Sequence, residues 1–173
     1  MVNVGVKIAA VVTLAVIAVS YVASTLITPP SQAQLELVTL QDINPGPGWF
    51  HYVAHRVTGN SRFENQTDAA WCQFDNHTTS IECVVRIFKS NTDCKAVINS
   101  MRGDEDDAFI SAEVRLGDGG FIFNLSYWCY IVFTTNRTLV EINIQYIDGH
   151  SDLRIGLEAM RIAEVQLHRM QTN

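Results

Sequence analysis

The sequence contains no cluster of basic residues. Its 173 residues include 12 Lys and Arg against 18 Asp and Glu, for a formal net charge of -6. Neutralising nucleic-acid phosphates needs clustered cations, so we predict no nucleic-acid partner. Attraction to an anionic lipid surface is disfavoured for the same reason.

Signatures of catalysis and metal binding are also missing from the sequence. It has no G-x-S-x-G elbow or H-E-x-x-H helix, and the glycine-rich stretch 117–120 lacks the Lys and helix start of a P-loop. The sequence has no C-x-x-C motif and no paired-histidine spacing, so no zinc site is expected. The acidic residues 104–107 lack the ligand spacing of an EF-hand, which favours a solvated turn over a calcium site. We predict no enzyme, no metal and no cofactor, although a hydrolase with two distant carboxylates would leave no local pattern.

No charged residue occurs from Ile8 to Ile27, a run of twenty residues that follows Lys7. At a rise of about 1.5 Å per residue, a helix of this length matches the roughly 30 Å hydrocarbon core of a bilayer. We therefore predict a transmembrane anchor over 1–28 that contacts membrane lipid. Two alternatives stay open: a secretory signal cleaved after Ala33, and a pilin-like helix that assembles filaments.

The basic residues near this segment indicate its orientation. Lys7 precedes it, and the next Lys or Arg is Arg56. Because cytoplasmic flanks carry the positive charge, we predict a single-pass cell-membrane protein with a cytoplasmic N-terminus and one extracytoplasmic domain over 49–173. The intervening residues 29–48, which end in Asn-Pro-Gly-Pro-Gly, are predicted as a linker or tether.

Cysteine is absent before Cys72, which excludes a lipoprotein anchor, and the four cysteines of the chain all follow the apolar segment. An even number outside the cytoplasm predicts two disulfides, and sequence alone permits three pairings. If a turn centres on residues 77–78, Cys72 and Cys83 face each other across a hairpin. Elimination then pairs Cys94 with Cys129.

Four asparagines stand in N-x-Ser/Thr sequons, which are formal glycosylation acceptors: Asn65, Asn76, Asn124 and Asn136. Asn76 and Asn136 fall in predicted turns and are the better candidates. The alternative is a threonine-rich β domain whose sequons arise by chance and carry no sugar.

Two kinds of periodicity alternate along the rest of the chain. Segments rich in β-branched and aromatic residues predict strands over 49–57, 69–74, 81–88, 112–116, 121–125, 127–133 and 139–147. A short extended piece is possible over 35–40. The fold class is α+β: an N-terminal transmembrane helix, then a mostly antiparallel β-sheet domain packed by two helices.

Helical spacing of apolar residues locates the two helices. Over 94–101 it predicts a short helix that turns Cys94 toward the sheet. Ser90 or Asn91 can cap this helix, and Gly103 can end it. The second helix is predicted over 151–171, with its apolar stripe on Leu153, Leu157, Met160, Leu167 and Met170.

The order of these elements resembles extracytoplasmic α+β domains of prokaryotic surface lipoproteins and receptor-kinase sensor regions. The likeness rests on the Pro-Gly turn within 42–49, on the strand-to-helix step over 84–90, and on Gly117-Asp118 with the hairpin and helix that follow. Residues 134–138 stand where such domains usually carry a basic-Gly-Asn turn, and the lipid anchor that they often use is missing. The resemblance implies a non-catalytic binding or accessory domain and transfers no functional residue.

Three functions fit these observations. The first is a non-catalytic accessory or structural subunit of a membrane or cell-surface assembly, because small residues such as Gly5 and Ser20 permit contacts with other membrane subunits. The second is a surface ligand-binding or sensor domain, which predicts a concave pocket lined by aromatics such as Trp128 and Tyr130. The third is a pilin-like filament subunit, a homo-oligomer assembled through the apolar helix.

Overall fold

A computed structural model describes residues 29–43, 48–56, 63–104, 112–125, 127–147 and 154–172. The chain divides into two compact units, 1–30 and 31–173. The predicted transmembrane anchor at 1–28 lies outside the described residues. Within those residues, no helix has both the length and the apolar character needed to cross a bilayer.

The described part of the second unit contains four helices and seven strands. The helices are α1 (Gln32–Glu36), α2 (Leu40–Ile43), α3 (Asn91–Asp104) and α4 (Ile155–Thr172). The strands are β1 (Phe50–Arg56), β2 (Gln66–Asp75), β3 (Thr79–Phe88), β4 (Ala112–Val114), β5 (Gly119–Leu125), β6 (Trp128–Thr135) and β7 (Thr138–Tyr146).

The strands form one antiparallel sheet in the order β1-β2-β3-β7-β6-β5-β4. This arrangement confirms the α+β class with a largely antiparallel sheet. Each predicted strand overlaps an observed one, because alternating patterns and turn residues are local signals.

The β2–β3 turn lies where the sequence predicts it. His77 takes a left-handed backbone conformation, with φ of 73°. The Asn76 side-chain oxygen accepts hydrogen bonds from the backbone N–H of Thr78 at 3.2 Å and of Thr79 at 2.8 Å. Asparagine stabilises turns through such local bonds. The resulting register places Cys72 directly opposite Cys83.

Successive side chains of the central strands point to opposite faces of the sheet, and each face has its own apolar cluster. In the larger cluster, Phe74, Phe133 and Ile142 pack with Ile155 and Ile162 of α4. Burying each of these side chains contributes about 1.5–3 kcal/mol. The same cluster contains Ala33 of α1 and Ile43 of α2, so α1, α2 and α4 pack on the same face of the sheet.

The smaller cluster lies on the other face, under α3. Here Phe88, Phe121 and Leu139 of the sheet pack with Cys94 and Ile98 of the helix. The predicted orientation of Cys94 toward the sheet is confirmed, since this residue is fully buried.

The start of α3 agrees with the prediction, but its end does not. The Ser90 hydroxyl accepts a hydrogen bond from the Asp93 backbone N–H at 3.1 Å, as an N-cap does. The helix continues through Gly103 to Asp104 rather than ending at the glycine. An isolated glycine weakens a helix by only about 1 kcal/mol, which neighbouring turns can offset.

The segment predicted as a tether is part of the domain core over residues 31–43. Ala33, Leu37, Val38 and Ile43 are almost fully buried in the larger cluster. The possible extended piece at 35–40 instead overlaps two short helices. Elements of four or five residues are too short to show helical periodicity, so their burial was not visible in the pattern.

A buried glutamine joins this segment to α4. The Gln166 side chain donates a hydrogen bond to the Glu36 carbonyl at 2.6 Å and accepts one from the Val38 N–H at 3.1 Å. Gln166 is fully buried. The two bonds satisfy backbone groups at the end of α1 that water does not reach.

Helix α4 packs through a different stripe from the predicted one. Its buried residues are Ile155, Gly156, Ala159, Ile162, Ala163 and Gln166. Leu157, which was assigned to the buried stripe, is 72% exposed. Two apolar stripes overlap in this sequence, and only the shape of the neighbouring sheet selects between them.

Candidate functional site

The face of the sheet that carries α3 also presents polar and aromatic side chains next to that helix. The strand register aligns several of them across four strands. Glu82 lies opposite Gln73 of β2 and Asn143 of β7, and Asn143 lies opposite Tyr130 of β6. We call this surface the polar–aromatic face, which consists of Trp71, Gln73, Glu82, Arg86, Trp128, Tyr130, Glu141 and Asn143.

A chain of hydrogen bonds crosses the polar–aromatic face between two indole rings. The Trp71 ring N–H donates to the Glu82 carboxylate. The Asn143 amide donates to the other Glu82 oxygen at 3.4 Å, and its own oxygen accepts from the Trp128 ring N–H at 2.6 Å. These bonds hold both rings and the carboxylate in defined positions.

A second set of bonds surrounds Glu141. Arg86 Nε lies 2.5 Å from one Glu141 oxygen, and the Tyr130 hydroxyl donates to the other at 2.7 Å. The Arg86 and Glu141 side chains are only 12% and 10% exposed. The guanidinium also lies 5.3 Å from the centre of the Phe63 ring. Glu141 is therefore neutralised by a shielded ion pair.

Three aromatic rings stack beside these bonds. The ring centres of Trp128 and Tyr130 are 6.0 Å apart with an interplanar angle of 8°. Phe123 stacks on both, at 6.4 Å from Trp128 and 6.2 Å from Tyr130. Trp128 and Tyr130, which were predicted to line a ligand pocket, therefore lie side by side on β6, and a concave pocket at this surface stays a prediction.

This arrangement can hold a ligand through charge, hydrogen bonds and contact with aromatic rings. The described partners of Glu82 are both neutral donors, so its negative charge is kept in place without being cancelled by them. Aromatic faces carry a negative quadrupole that adds to this charge. Ligands with hydroxyl or cationic groups on an apolar body match such a surface.

Sequence reasoning missed most members of the polar–aromatic face. Glu82 and Arg86 in β3, and Glu141 and Asn143 in β7, occupy alternate positions among apolar residues. This alternation was a usable signal for one polar face on each strand. Which residues meet across strands depends on register, which the pattern alone does not contain.

All four cysteines are buried, and none is paired in a disulfide in this structure. Burial raises the pKa of Cys94 and of Cys129 to about 12. A hydrogen bond with Cys72, together with burial, raises the pKa of Cys83 well above its ordinary value. Since the thiolate is the nucleophile, these groups are poor candidates for covalent catalysis.

The structure brings one predicted cysteine pair together, Cys72 and Cys83, and separates the other, Cys94 and Cys129. Cys72 and Cys83 face each other on adjacent strands, so a disulfide between them stays a prediction. Cys129 belongs to the larger cluster, whereas Cys94 belongs to the smaller one. The sheet lies between Cys94 and Cys129, and the pairing by elimination is not supported.

The sequons occupy different environments, and their glycosylation stays a prediction. Asn76 and Asn136 lie in the β2–β3 and β6–β7 turns, as expected. The Asn65 amide donates to Asp93 at 2.8 Å, which uses one of the two N–H groups of the nitrogen that a sugar would modify. Asn124 lies at the end of β5, with its amide against Gly156.

Metal-ligating side chains do not converge within the described part of the chain. No three His, Cys, Asp or Glu residues come together there. His77 is exposed, and its ring lies 5.4 Å from that of Phe50. Residues 105–107 of the acidic stretch lie outside the described residues.

Comparison with known proteins identifies a similar fold and no related sequence. No protein-family model matches the chain, and no characterised protein matches it in sequence. The structure is similar to the extracellular domain of PknH from Mycobacterium tuberculosis, with a TM-score of 0.58. The match covers 84% of this chain and 99% of the other at 10% identity. This likeness concerns the fold alone, and it supports in part the expected resemblance to extracytoplasmic α+β domains.

Proposed function

We propose that the chain is a non-catalytic membrane protein whose extracytoplasmic domain binds a small ligand as a surface sensor. The observation that carries this proposal is the polar–aromatic face, where the Glu82 carboxylate lies within a hydrogen-bonded chain between two indole rings. The fold likeness to an extracellular domain supports the extracytoplasmic placement. The charge-free run at 8–27 supports attachment to a membrane.

Preorganisation is the reason to prefer ligand binding for this face. Trp71, Trp128 and Tyr130 are already held by hydrogen bonds, so a ligand that stacks on them loses less side-chain entropy on binding. Glu82 and Asn143 would accept hydrogen bonds from its hydroxyl or ammonium groups. We infer that the ligand is a polyhydroxyl or cationic molecule with an apolar surface.

An accessory subunit is the second candidate, and a different surface favours it. Tyr127 and Ile147 are 50% and 52% exposed, and Leu125 is 41% exposed. They lie at one end of the sheet, where the Tyr146 N–H bonds the Tyr127 carbonyl at 2.9 Å. Exposed apolar residues grouped in this way are typical of protein contacts.

The ligand proposal can be tested with the full chain in detergent micelles. Oligosaccharides, choline and spermidine would be titrated while tryptophan fluorescence and the thermal unfolding midpoint are recorded. Two of the three tryptophans lie on the polar–aromatic face, so a bound ligand should change the emission. We expect one of these classes to bind at millimolar concentration or below.

Matched variants test whether a ligand binds at the polar–aromatic face. Glu82→Gln should weaken binding at least about tenfold, a loss of roughly 1.4 kcal/mol. Glu113→Gln, an exposed change at the far edge of the sheet, should leave binding unchanged. Equal affinities of the wild type and the Glu82 variant would contradict the proposal, as would failure of all these probes to bind.

A further inference from the structure

A separate cleft lies between α1, the β6–β7 turn and the end of α4. Its volume is about 400 Å³, and its lining includes Gln32, Glu36, Arg137, Thr138 and Met170. This volume is within the range of small-molecule sites. The cleft lies on the side of α1 and α4, across the sheet from the polar–aromatic face.

Glu36 is the unusual member of this cleft. It is only 8% exposed, and one of its carboxylate oxygens, Oε1, accepts from the Gln32 amide at 2.8 Å. Oε2 is enclosed by protein atoms and has no close hydrogen-bond donor among the described residues, although the Thr138 side chain interacts with this carboxyl. Burial raises the pKa of this carboxyl, against the lowering effect of Gln32, Arg137 and Thr138. A buried acceptor without a donor destabilises a fold, so it calls for a functional explanation.

Arg137 supplies the opposite charge in the same cleft. It is exposed in the β6–β7 turn, and one of its guanidinium nitrogens donates to Gln32 at 3.1 Å. A guanidinium has five N–H donors, and it forms paired bonds with a carboxylate. The cleft therefore offers a carboxylate acceptor within it and a guanidinium beside it, with Met170 as apolar lining.

We propose that this cleft binds a small zwitterion of the α-amino-acid class, with its ammonium group on Glu36 and its carboxylate on Arg137. An ammonium in the cleft pairs with the negative charge of the Glu36 carboxylate, through a charge-assisted interaction. A site with one charge of each sign favours a ligand with the same two charges, because neither site charge is then left unpaired. An amine alone or an acid alone satisfies only half of the cleft.

The test uses the full chain in detergent micelles and free L-amino acids as probes. Each of the common L-amino acids would be screened by thermal unfolding, and the best would be titrated by calorimetry. The amine and the acid that each lack one charged group of this amino acid would be titrated beside it. We expect both to bind at least about tenfold more weakly.

Variants distinguish this cleft from other sites. Glu36→Gln and Arg137→Gln should each weaken amino-acid binding at least about tenfold. Glu64→Gln, an exposed change elsewhere, should have no effect. Because Arg137 is exposed, its variant tests the cleft without changing a buried group. Glu82→Gln should also leave this binding intact, so the two proposed sites can fail independently.

Three results would overturn the proposal. The first is that no amino acid raises the unfolding midpoint at concentrations up to about 10 mM, as expected if the cleft holds water alone. The second is equal affinity for the amino acid and for its matching amine. The third is a folded Arg137 variant with wild-type affinity.

Discussion

Gln166 and Glu36 are two buried polar residues at the same junction, and they differ in how well they are satisfied. The Gln166 amide uses both its donor and its acceptor on backbone groups of the 36–38 segment. Glu36 leaves Oε2 without a hydrogen bond in the described structure. Satisfied buried groups add rigidity, whereas unsatisfied ones cost stability.

This difference predicts how Glu36→Gln changes stability with pH. Burial raises the folded-state pKa of Glu36 above its ordinary value of 4.5, so the folded state binds a proton more tightly than the unfolded state. The wild type therefore loses stability as pH rises through the folded-state pKa. At pH 7 we expect the variant to be more stable by about 1 kcal/mol, and the gap should close below pH 4.5.

Urea unfolding of both proteins at several pH values, after dialysis against amino-acid-free buffer, measures this effect. The charges that act on Glu36 are Arg137 from the β6–β7 turn and Asp68 from β2. Asp68→Asn is the control for the acidic neighbour. A constant difference between wild type and Glu36→Gln at all pH values would contradict the assignment.

Among the elements, the β2–β3 hairpin has the turn and register that follow most directly from its own residues. Asn76 and His77 form the turn, and the two strands pair from Asp75↔Ser80 to Ala69↔Arg86 without a shift. Cys72 and Cys83 lie within this regular stretch. The spacing of the two cysteines in the sequence therefore places them opposite each other on adjacent strands.

We predict that Cys72 and Cys83 form a disulfide when the protein is exported to an oxidising compartment. Closing a loop of this size stabilises the fold by about 3 kcal/mol in the chain-entropy treatment. Mass spectrometry of unreduced peptides, prepared in denaturant because all four cysteines are buried, should show Cys72 linked to Cys83. The Cys72→Ser/Cys83→Ser double variant should unfold at a lower urea concentration.

Cys94 and Cys129 serve as the internal control for this experiment. The sheet separates them, so we expect both to be alkylated in denaturant without reductant. A Cys94–Cys129 linkage would contradict the placement of α3. Four free thiols in exported protein would contradict the hairpin disulfide.

Helix α4 illustrates how tertiary context selects one face of an element. The 155–159–162–166 stripe faces the sheet, and Gln166 on it is matched to α1. The alternative stripe carries Leu157, which is exposed. Both stripes satisfy helical spacing, so periodicity alone does not choose between them.

At the scale of the whole molecule, the sheet separates two surfaces with different proposed uses. The polar–aromatic face lies on the α3 side, and the Glu36 cleft lies on the side of α1 and α4. Residues 31–43 contribute one wall of the cleft and part of the larger cluster. Residues 31–43 are therefore part of the domain itself.

Removal of this segment should destabilise the domain strongly. A chain that starts at Ser31 keeps Ala33, Leu37, Val38 and Ile43 in the core, whereas one that starts at Gly48 loses them and leaves Gln166 unpaired. We expect the shorter chain to lose on the order of 5 kcal/mol or to remain unfolded. Urea unfolding followed by circular dichroism compares the two, and equal stability would contradict the burial of residues 31–43.

Local sequence patterns specified the features that depend on about ten neighbouring residues. The β2–β3 turn, the strand positions and the buried face of α3 with its Ser90 cap all followed from local patterns. Turn chemistry, alternation and helical spacing act within one element and its immediate neighbours. The α+β class followed from the order of these elements.

Which surfaces meet was set by contacts between distant parts of the chain. The tertiary structure placed residues 31–43 in the core, turned Leu157 outward, set Cys94 and Cys129 on opposite sides of the sheet, and aligned Glu82 with Asn143. Each outcome depends on contacts between residues that are far apart in the chain. A local pattern specifies that a residue is apolar or polar, but burial and pairing are set by the competition of all elements for one core.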